Sequence, residues 1–259
     1  MFSFNFIYPK FSGYKEMIKY FSFEKKPEID FSNLKPIDLS KINMIDFPDN
    51  QYFKSKYHKN QIILHHTVSG PSARGDISTW LSTESRIATC MIIDGEGVPN
   101  QLFSSKYYGA HLGCRQFYLK TLGFCDYKIR NKKLDRESIA VELDNWGWLK
   151  KEDNIFRTYY GNKVNVDITT YKNKWRGHKY FQAYNIGQLR SLGELLLYWN
   201  KRYKIPLDYH EDMWDVSKRA LEGHPGIWTH ASFRPACDKT DCHPDPNLIN
   251  LLKTLSTLI

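Results

Sequence analysis

From about residue 58 onward the chain alternates short apolar runs with amphipathic stretches, and each pattern predicts an element. In "KNQIILHHTVSG", Ile62, Ile63 and Leu64 form a compact apolar run that ends in His65 and His66. A run of that length, bounded by Ser-Gly-Pro, predicts a buried strand that delivers side chains at its C-terminal end. "GDISTWLSTES" predicts a helix starting near Asp76. "IATCMIIDGEGVPNQLF" predicts strand, turn and strand, with Asp94-Gly95 as the hairpin signal. "ESIAVELDNWG" predicts a second buried strand, ending in carboxylates. Residues 150 to 180 are polar, aromatic and lysine-rich, which leaves a β-hairpin and a long surface loop both open. "NIGQLRSLGELLLYWNKRYKI" is the clearest helix, with Leu189, Leu192, Leu196 and Trp199 on one face. "HPDPNLINLLKTLSTLI" predicts a closing helix after a proline-rich start. Strands alternating with helices predict one α/β domain over residues 58–259, with no internal repeat.

Residues 1–57 differ. They mix charges, prolines and aromatics without a sustained period, and only "SGYKEMIKYF" predicts a short helix, with Ser12 as N-cap. The region reads as an N-terminal arm or docking segment, or equally as an ordered strap lying on the main domain.

Composition narrows the function classes. The 37 basic and 28 acidic residues leave a formal charge of +9, which favours acidic partners (nucleic acid, an anionic membrane surface or an anionic cell wall) without choosing among them. The sequence carries no dense Lys/Arg run, zinc-finger repeat or RNP-like motif, so nucleic acid is not an expected partner. Five cysteines, sparsely spread, do not form a secreted disulfide framework. The N-terminus lacks a signal-peptide pattern, and no stretch approaches the roughly 18 apolar residues of a membrane span. Synthesis in a reducing cytosol is the expectation, with no integral membrane association.

The candidate chemistry lies at strand ends. His65 and His66 are adjacent on a strand and therefore face opposite sides. His230 comes much later, followed by "CDKTDCHPDP" with Lys239 and Asp241. Two histidines and a carboxylate suit a three-ligand zinc site with a fourth position open to water. A closed zinc knot of His230, Cys237, Cys242 and His243 is the rival, but it lacks a paired C-x-x-C and makes neighbours Cys242 and His243 share one ion. For Lys239 the plain alternative is a salt bridge to Asp238 or Asp241. For Glu142, in the second buried strand, it is a pair with Arg136 or a lysine.

Taken in order, "QIILHHTVSG", "IATCMIIDGEGVPNQLF", "GAHLG", "ESIAVEL", "KYFQAYNIGQLRSLGELL" and "GIWTH" with "DKTDCHPDP" resemble the zinc-dependent N-acetylmuramoyl-L-alanine amidases. That group is shared by phage lysins, bacterial wall-recycling amidases and animal peptidoglycan recognition proteins. Each motif is loose, but their order is specific, and together they cover residues 58–259. The resemblance implies an α/β fold with a central mixed β-sheet flanked by helices, preceded here by an N-terminal extension. It also implies a Zn2+ cofactor and a peptidoglycan substrate, cut between N-acetylmuramic acid and L-alanine. His65, His230 and Asp241 match the metal ligands. Lys239 matches the cation that stabilises the oxyanion, and Glu142 the acid that assists the attacking water. His111 matches a histidine lining the substrate groove, where Thr89 joins it.

The chain departs from the family at several points. Cys90, after Thr89, stands where many relatives carry a histidine, and a nearby tyrosine of some phage amidases is absent, so the base role falls on Glu142. The longer "DCHPDP" tail leaves Cys242 and His243 as alternative third ligands; Asp241 fits the spacing to Lys239. Two other functions stay open within the fold: a recognition protein that binds muropeptides without cutting, and an endopeptidase acting within the stem peptide. Charge and arm together point to a phage or prophage endolysin acting on the wall after release by a holin or from a virion, with the arm as a virion or wall contact. A cytosolic recycling enzyme is the alternative.

Overall fold

The computed structural model describes residues 29–236 and 238–258. The helix expected around Ser12 lies outside them. In chain order the regular elements are β1 (Asn43–Met44), β2 (Gln61–His66), α1 (Ala73–Leu81), β3 (Met91–Ile93), β4 (Pro99–Gln101), α2 (Gln116–Thr121), α3 (Tyr127–Glu137) and β5 (Ser138–Leu143). There follow β6 (Trp148–Glu152), β7 (Ile155–Arg157), β8 (Lys163–Val164), β9 (Ile168–Trp175), β10 (His178–Gln182), α4 (Ile186–Tyr203), α5 (Lys218–Glu222), β11 (Gly226–Thr229) and α6 (Pro246–Leu255).

The main sheet has the order β1-β4-β3-β5-β2-β11 and is mixed: only the β3–β4 hairpin is antiparallel. β2 lies between two parallel neighbours, and all six of its residues are buried. That is why it reads as a continuous apolar run rather than an alternating one. The hairpin turn falls at Asp94, whose carboxylate accepts from the amides of Glu96 and Val98. Helix α1 starts earlier than its apolar pattern suggests, because the Ser72 hydroxyl accepts from Arg74 N and caps it; Asp76 falls in the first turn.

Helix α4 begins with a capping box in which Asn185 and Gln188 bond reciprocally. Its apolar face, including Leu189, Leu192, Leu196 and Trp199, is buried in the core. Gly193 on α4 allows a close approach: a Cβ there would lie 2.5 Å from Leu34 and 2.8 Å from Leu251 of α6.

Two features exceed the sequence pattern. Residues 148–182 form a second, five-stranded sheet of order β8-β7-β6-β10-β9, where the sequence left a hairpin and a loop both open. Its inner side buries Tyr171, Trp175 and Phe181 against Ala231. Residues 29–57 place Phe31, Ile37, Phe47 and Tyr52 in the main core, and β1 pairs with β4. Backbone and side-chain bonds tie this strap to α4 (Ile37 N to Glu194 O, 3.0 Å) and α6 (Asn250 Nδ2 to Ile29 O, 2.7 Å). Among the described residues, no helix is long and apolar enough to cross a membrane.

Candidate metal centre

Three parallel strands converge their C-terminal ends on one point. β2 contributes His65, β5 contributes Glu142 in register beside it, and His230 follows directly on β11. Paired residues of neighbouring strands project to the same face, so His65 and Glu142 share the site. Asp241 arrives from the loop after β11, where its carbonyl accepts from Ala231 N at 2.8 Å. His65, His230 and Asp241 are all buried, and one donor atom from each lies within 4.8 Å of the others. The imidazole centroids of His65 and His230 are 4.5 Å apart.

The hydrogen bonds behind the two rings fix which nitrogen of each points outward. Ser138 Oγ donates to Leu134 O at 2.7 Å, so it must accept from His111 Nε2 at 2.8 Å. Burial drives the His111 pKa well below its ordinary value, so the ring is neutral and its Nδ1 is an acceptor. His65 Nε2 therefore donates to His111 Nδ1 at 3.0 Å. Burial, followed by the neighbouring His230, lowers the His65 pKa to about 4, which leaves Nδ1 with a lone pair. His230 Nε2 donates to Leu112 O at 2.8 Å, which turns its Nδ1 inward as well. Backing of this kind, with the outer N–H spent on a fixed acceptor, is what orients metal-ligating histidines.

Both inner nitrogens face Asp241 Oδ2, at 3.3 Å from His65 and 2.9 Å from His230. Burial opposes ionisation of Asp241, but His230, the close contacts of both rings and Lys239 hold its pKa well below the usual carboxylate range. The two inner nitrogens and the Asp241 oxygen thus meet around one point, where a single cation would be shared by all three. The donor set of two imidazoles and one carboxylate fits Zn2+ with a position left open.

Around this centre, Glu142 Oε2 is buried without a partner. Its pKa is pushed well above the ordinary value by burial, then by Asp241 and Asp76, with Lys239 opposing. Asp144, two residues on, is raised to about 8 by burial and by Asp76. The charge of Lys239 is felt at His65, His66, Glu142 and Asp241. Asp238 is held by Arg234 and by Arg115 (3.2 Å) rather than by Lys239.

The remaining expected residues sit further back. His111 is buried behind His65, with its backbone N–H donating to Asp135 at 3.2 Å. Thr89 is buried and donates to Met91 O at 3.0 Å. Cys90 is buried, donates to Ala140 O, and has its thiol pushed up to about 12 by burial. Cys242 is buried with its thiol pushed well above the ordinary range, chiefly by burial. His243 spends both nitrogens elsewhere: Nε2 donates to Gln182 O and Nδ1 accepts from Tyr171 Oη, each at 2.9 Å. Its ring stacks on Phe181 and Tyr184, with centroids 4.6 and 4.7 Å away. Cys237 lies outside the described residues.

His66, on the other face of β2, donates or accepts at Tyr184 Oη (2.9 Å) and packs against Gly147. Gly147 has φ +68°, and a Cβ there would lie 2.8 Å from His66 Nε2. Sequence reading missed Ser138, Asp135 and Arg176, because their roles come from partners distant along the chain and leave no local motif.

No family model matches the sequence, and no curated protein matches it. In three dimensions the chain is similar to an endolysin N-acetylmuramoyl-L-alanine amidase, LysCS from Clostridium intestinale URNW, at 11% identity. That superposition covers 80% of this chain and 90% of the other, with a TM-score of 0.42. It is also similar to the Staphylococcus aureus hydrolase AmiA in complex with its ligand, at 13% identity over 90% and 93% of the two chains, with a TM-score of 0.45. A third similar structure is AmpD, at 13% identity over 86% and 98%, with a TM-score of 0.43.

Proposed function

We propose that the protein is a zinc-dependent N-acetylmuramoyl-L-alanine amidase that cuts the stem peptide from the glycan of peptidoglycan, in the manner of a phage or prophage lysin. The observation that carries the chemistry is the convergence of His65 Nδ1, His230 Nδ1 and Asp241 Oδ2 beside an unpartnered Glu142. The substrate follows from the ordered motifs of the sequence.

His65, His230 and Asp241 would hold the ion. Zinc in such a site acidifies water and polarises a carbonyl oxygen. Glu142 takes the proton of the attacking water and returns it to the leaving amine of L-alanine. Its raised proton affinity suits that relay better than a fully solvated carboxylate would. Lys239 lends positive charge to the developing oxyanion. Amide cleavage then consumes one water and yields a free L-alanine amine and a lactyl carboxylate.

The test combines product analysis with metal binding. Zinc-loaded protein is expected to release stem peptides that begin with L-alanine, identified by mass spectrometry. Zinc at about a hundred times its Kd should stabilise the fold by about 2.7 kcal/mol, and Asp241→Ala should lose both the activity and that increment. Peptides that begin with D-glutamate would move the cut into the stem peptide. Binding of muropeptides without any release, by zinc-loaded protein, would make it a recognition protein instead.

A further inference from the structure

We propose that Arg176 is a positioning residue for the metal ligands, clamping the loop between His230 and Asp241 into its ligating shape before any ion arrives. The inference rests on reading His65, His230 and Asp241 as the metal ligands.

Arg176 occupies the tight turn between β9 and β10 of the second sheet, at φ +46°, followed by Gly177 at φ +87°. Its side chain is 3% exposed. One terminal nitrogen, Nη1, donates to Arg234 O at 2.8 Å and to Lys239 O at 2.7 Å. The other, Nη2, donates to Ala231 O at 2.7 Å and to Asp215 Oδ1 at 2.9 Å. All four terminal N–H groups of the guanidinium are therefore used, three of them on main-chain carbonyls of one loop.

The positions held are the telling ones. Ala231 directly follows the ligand His230, and Lys239 stands two residues before the ligand Asp241. Ala231 N also donates to Asp241 O at 2.8 Å, so the two ends of the loop are joined to each other as well as to Arg176. Arg176 thereby holds the base of the Lys239 side chain directly and the Asp241 backbone through Ala231. A loop of this length otherwise loses conformational entropy when its two ends are brought to one ion. Fixing it in advance removes that cost from the binding step. Lysine cannot substitute, because three tetrahedral donors on one nitrogen do not reach the carbonyls that the planar guanidinium spans. The second sheet thus has a task at the metal centre although it contributes no ligand.

The experiment is a zinc titration by chelator competition on the full chain, for wild type, Arg176→Lys and Asp215→Asn. Near-UV circular dichroism verifies that each is folded. Arg176→Lys is expected to lose about ten- to a hundredfold in zinc affinity, the usual scale for residues that orient ligands. Asp215→Asn removes only the charge of the outer brace, whose side chain is 58% exposed, and is expected to stay within about twofold of wild type.

A second measurement needs no variant. In metal-free wild type, the Ala231 amide should exchange with solvent deuterium slowly, as a core amide does, because its bond to Asp241 O is already in place. A folded Arg176→Lys protein that binds zinc as tightly as wild type overturns the proposal. Fast exchange at Ala231 in the metal-free wild type overturns it too, even if the lysine variant fails to fold. Wild type with a protected Ala231 but no affinity for zinc removes the ligand reading itself, and with it the clamp's purpose; the wild-type titration separates that result from the other two.

Discussion

His65 and His66 are adjacent on β2 and have opposite fates. His65 turns to His230 and Asp241, while His66 turns to Tyr184 and lies under Gly147. The strand's two-residue period decides this, and the sequence states it. What it does not state is how each nitrogen of His65 is used. That depends on the relay from Leu134 O through Ser138 and His111. The resemblance puts His111 in the substrate groove; in the structure its Nδ1 accepts from His65 Nε2 at 3.0 Å, and we propose that it orients that ring. His111→Ala is therefore expected to lower zinc affinity about tenfold or more, with a smaller change in KM once zinc saturates the site. Chelator competition and steady-state kinetics on muropeptides check this. A raised KM with unchanged metal affinity would return His111 to the groove.

Among the elements, helix α6 shows how the two sheets and the core are tied. Its N-cap, Asp245, accepts from Asn247 N (2.8 Å) and Leu248 N (3.3 Å) through one oxygen and from the Thr169 hydroxyl of β9 through the other. Pro246 follows at the first helical position, where its missing N–H has no cost. Burial outweighs these hydrogen bonds and raises the Asp245 pKa from 3.8 to about 6. A raised acid keeps its proton in the folded state between pH 3.8 and 6, where the unfolded chain has lost it. Its contribution to stability is thus fully present below about pH 4 and is lost as pH rises through 6. Asp245→Asn retains a capping oxygen and removes the titration. It is expected to take on the order of 2–3 kcal/mol out of the decline in stability between pH 4 and 7. Urea unfolding at several pH values measures it, and an unchanged pH slope would refute it. Asp135, likewise raised to about 6 by burial, leaves a residual slope in the variant.

At the scale of the whole molecule, the strap of residues 29–57 belongs to the core physically. Phe31, Ile37, Phe47 and Tyr52 are buried among residues of the main sheet and α4. Each apolar side chain of this size contributes roughly 1.5–3 kcal/mol when buried. Together they rival the roughly 5–15 kcal/mol by which a whole domain is stable. A chain starting at residue 58 is expected to lose cooperative thermal unfolding and to precipitate on expression. A sharp melt near the wild-type temperature, followed by far-UV circular dichroism, would show the strap to be dispensable. The sequence could not separate an arm from a strap, because extended chain that packs through isolated aromatics carries no period. The second sheet escaped for a related reason: its strands are short, polar on one side and paired through turns with no strong signal.

The sequence by itself determined the strand ends, the long helix and the ordered motifs, because hydrophobic period and residue chemistry are local properties. The family resemblance of those motifs, rather than their spacing, is what singled out His65, His230, Asp241 and Glu142, which the fold brings together. Only the tertiary structure decided which nitrogens face inward and that Cys242 and His243 stand aside from the donor group. It also placed Arg176, fifty-four residues before His230 and far from any motif, on the carbonyls of Ala231, Arg234 and Lys239. Those outcomes depend on hydrogen bonds between segments distant along the chain, and no local pattern encodes a partner that only folding brings near.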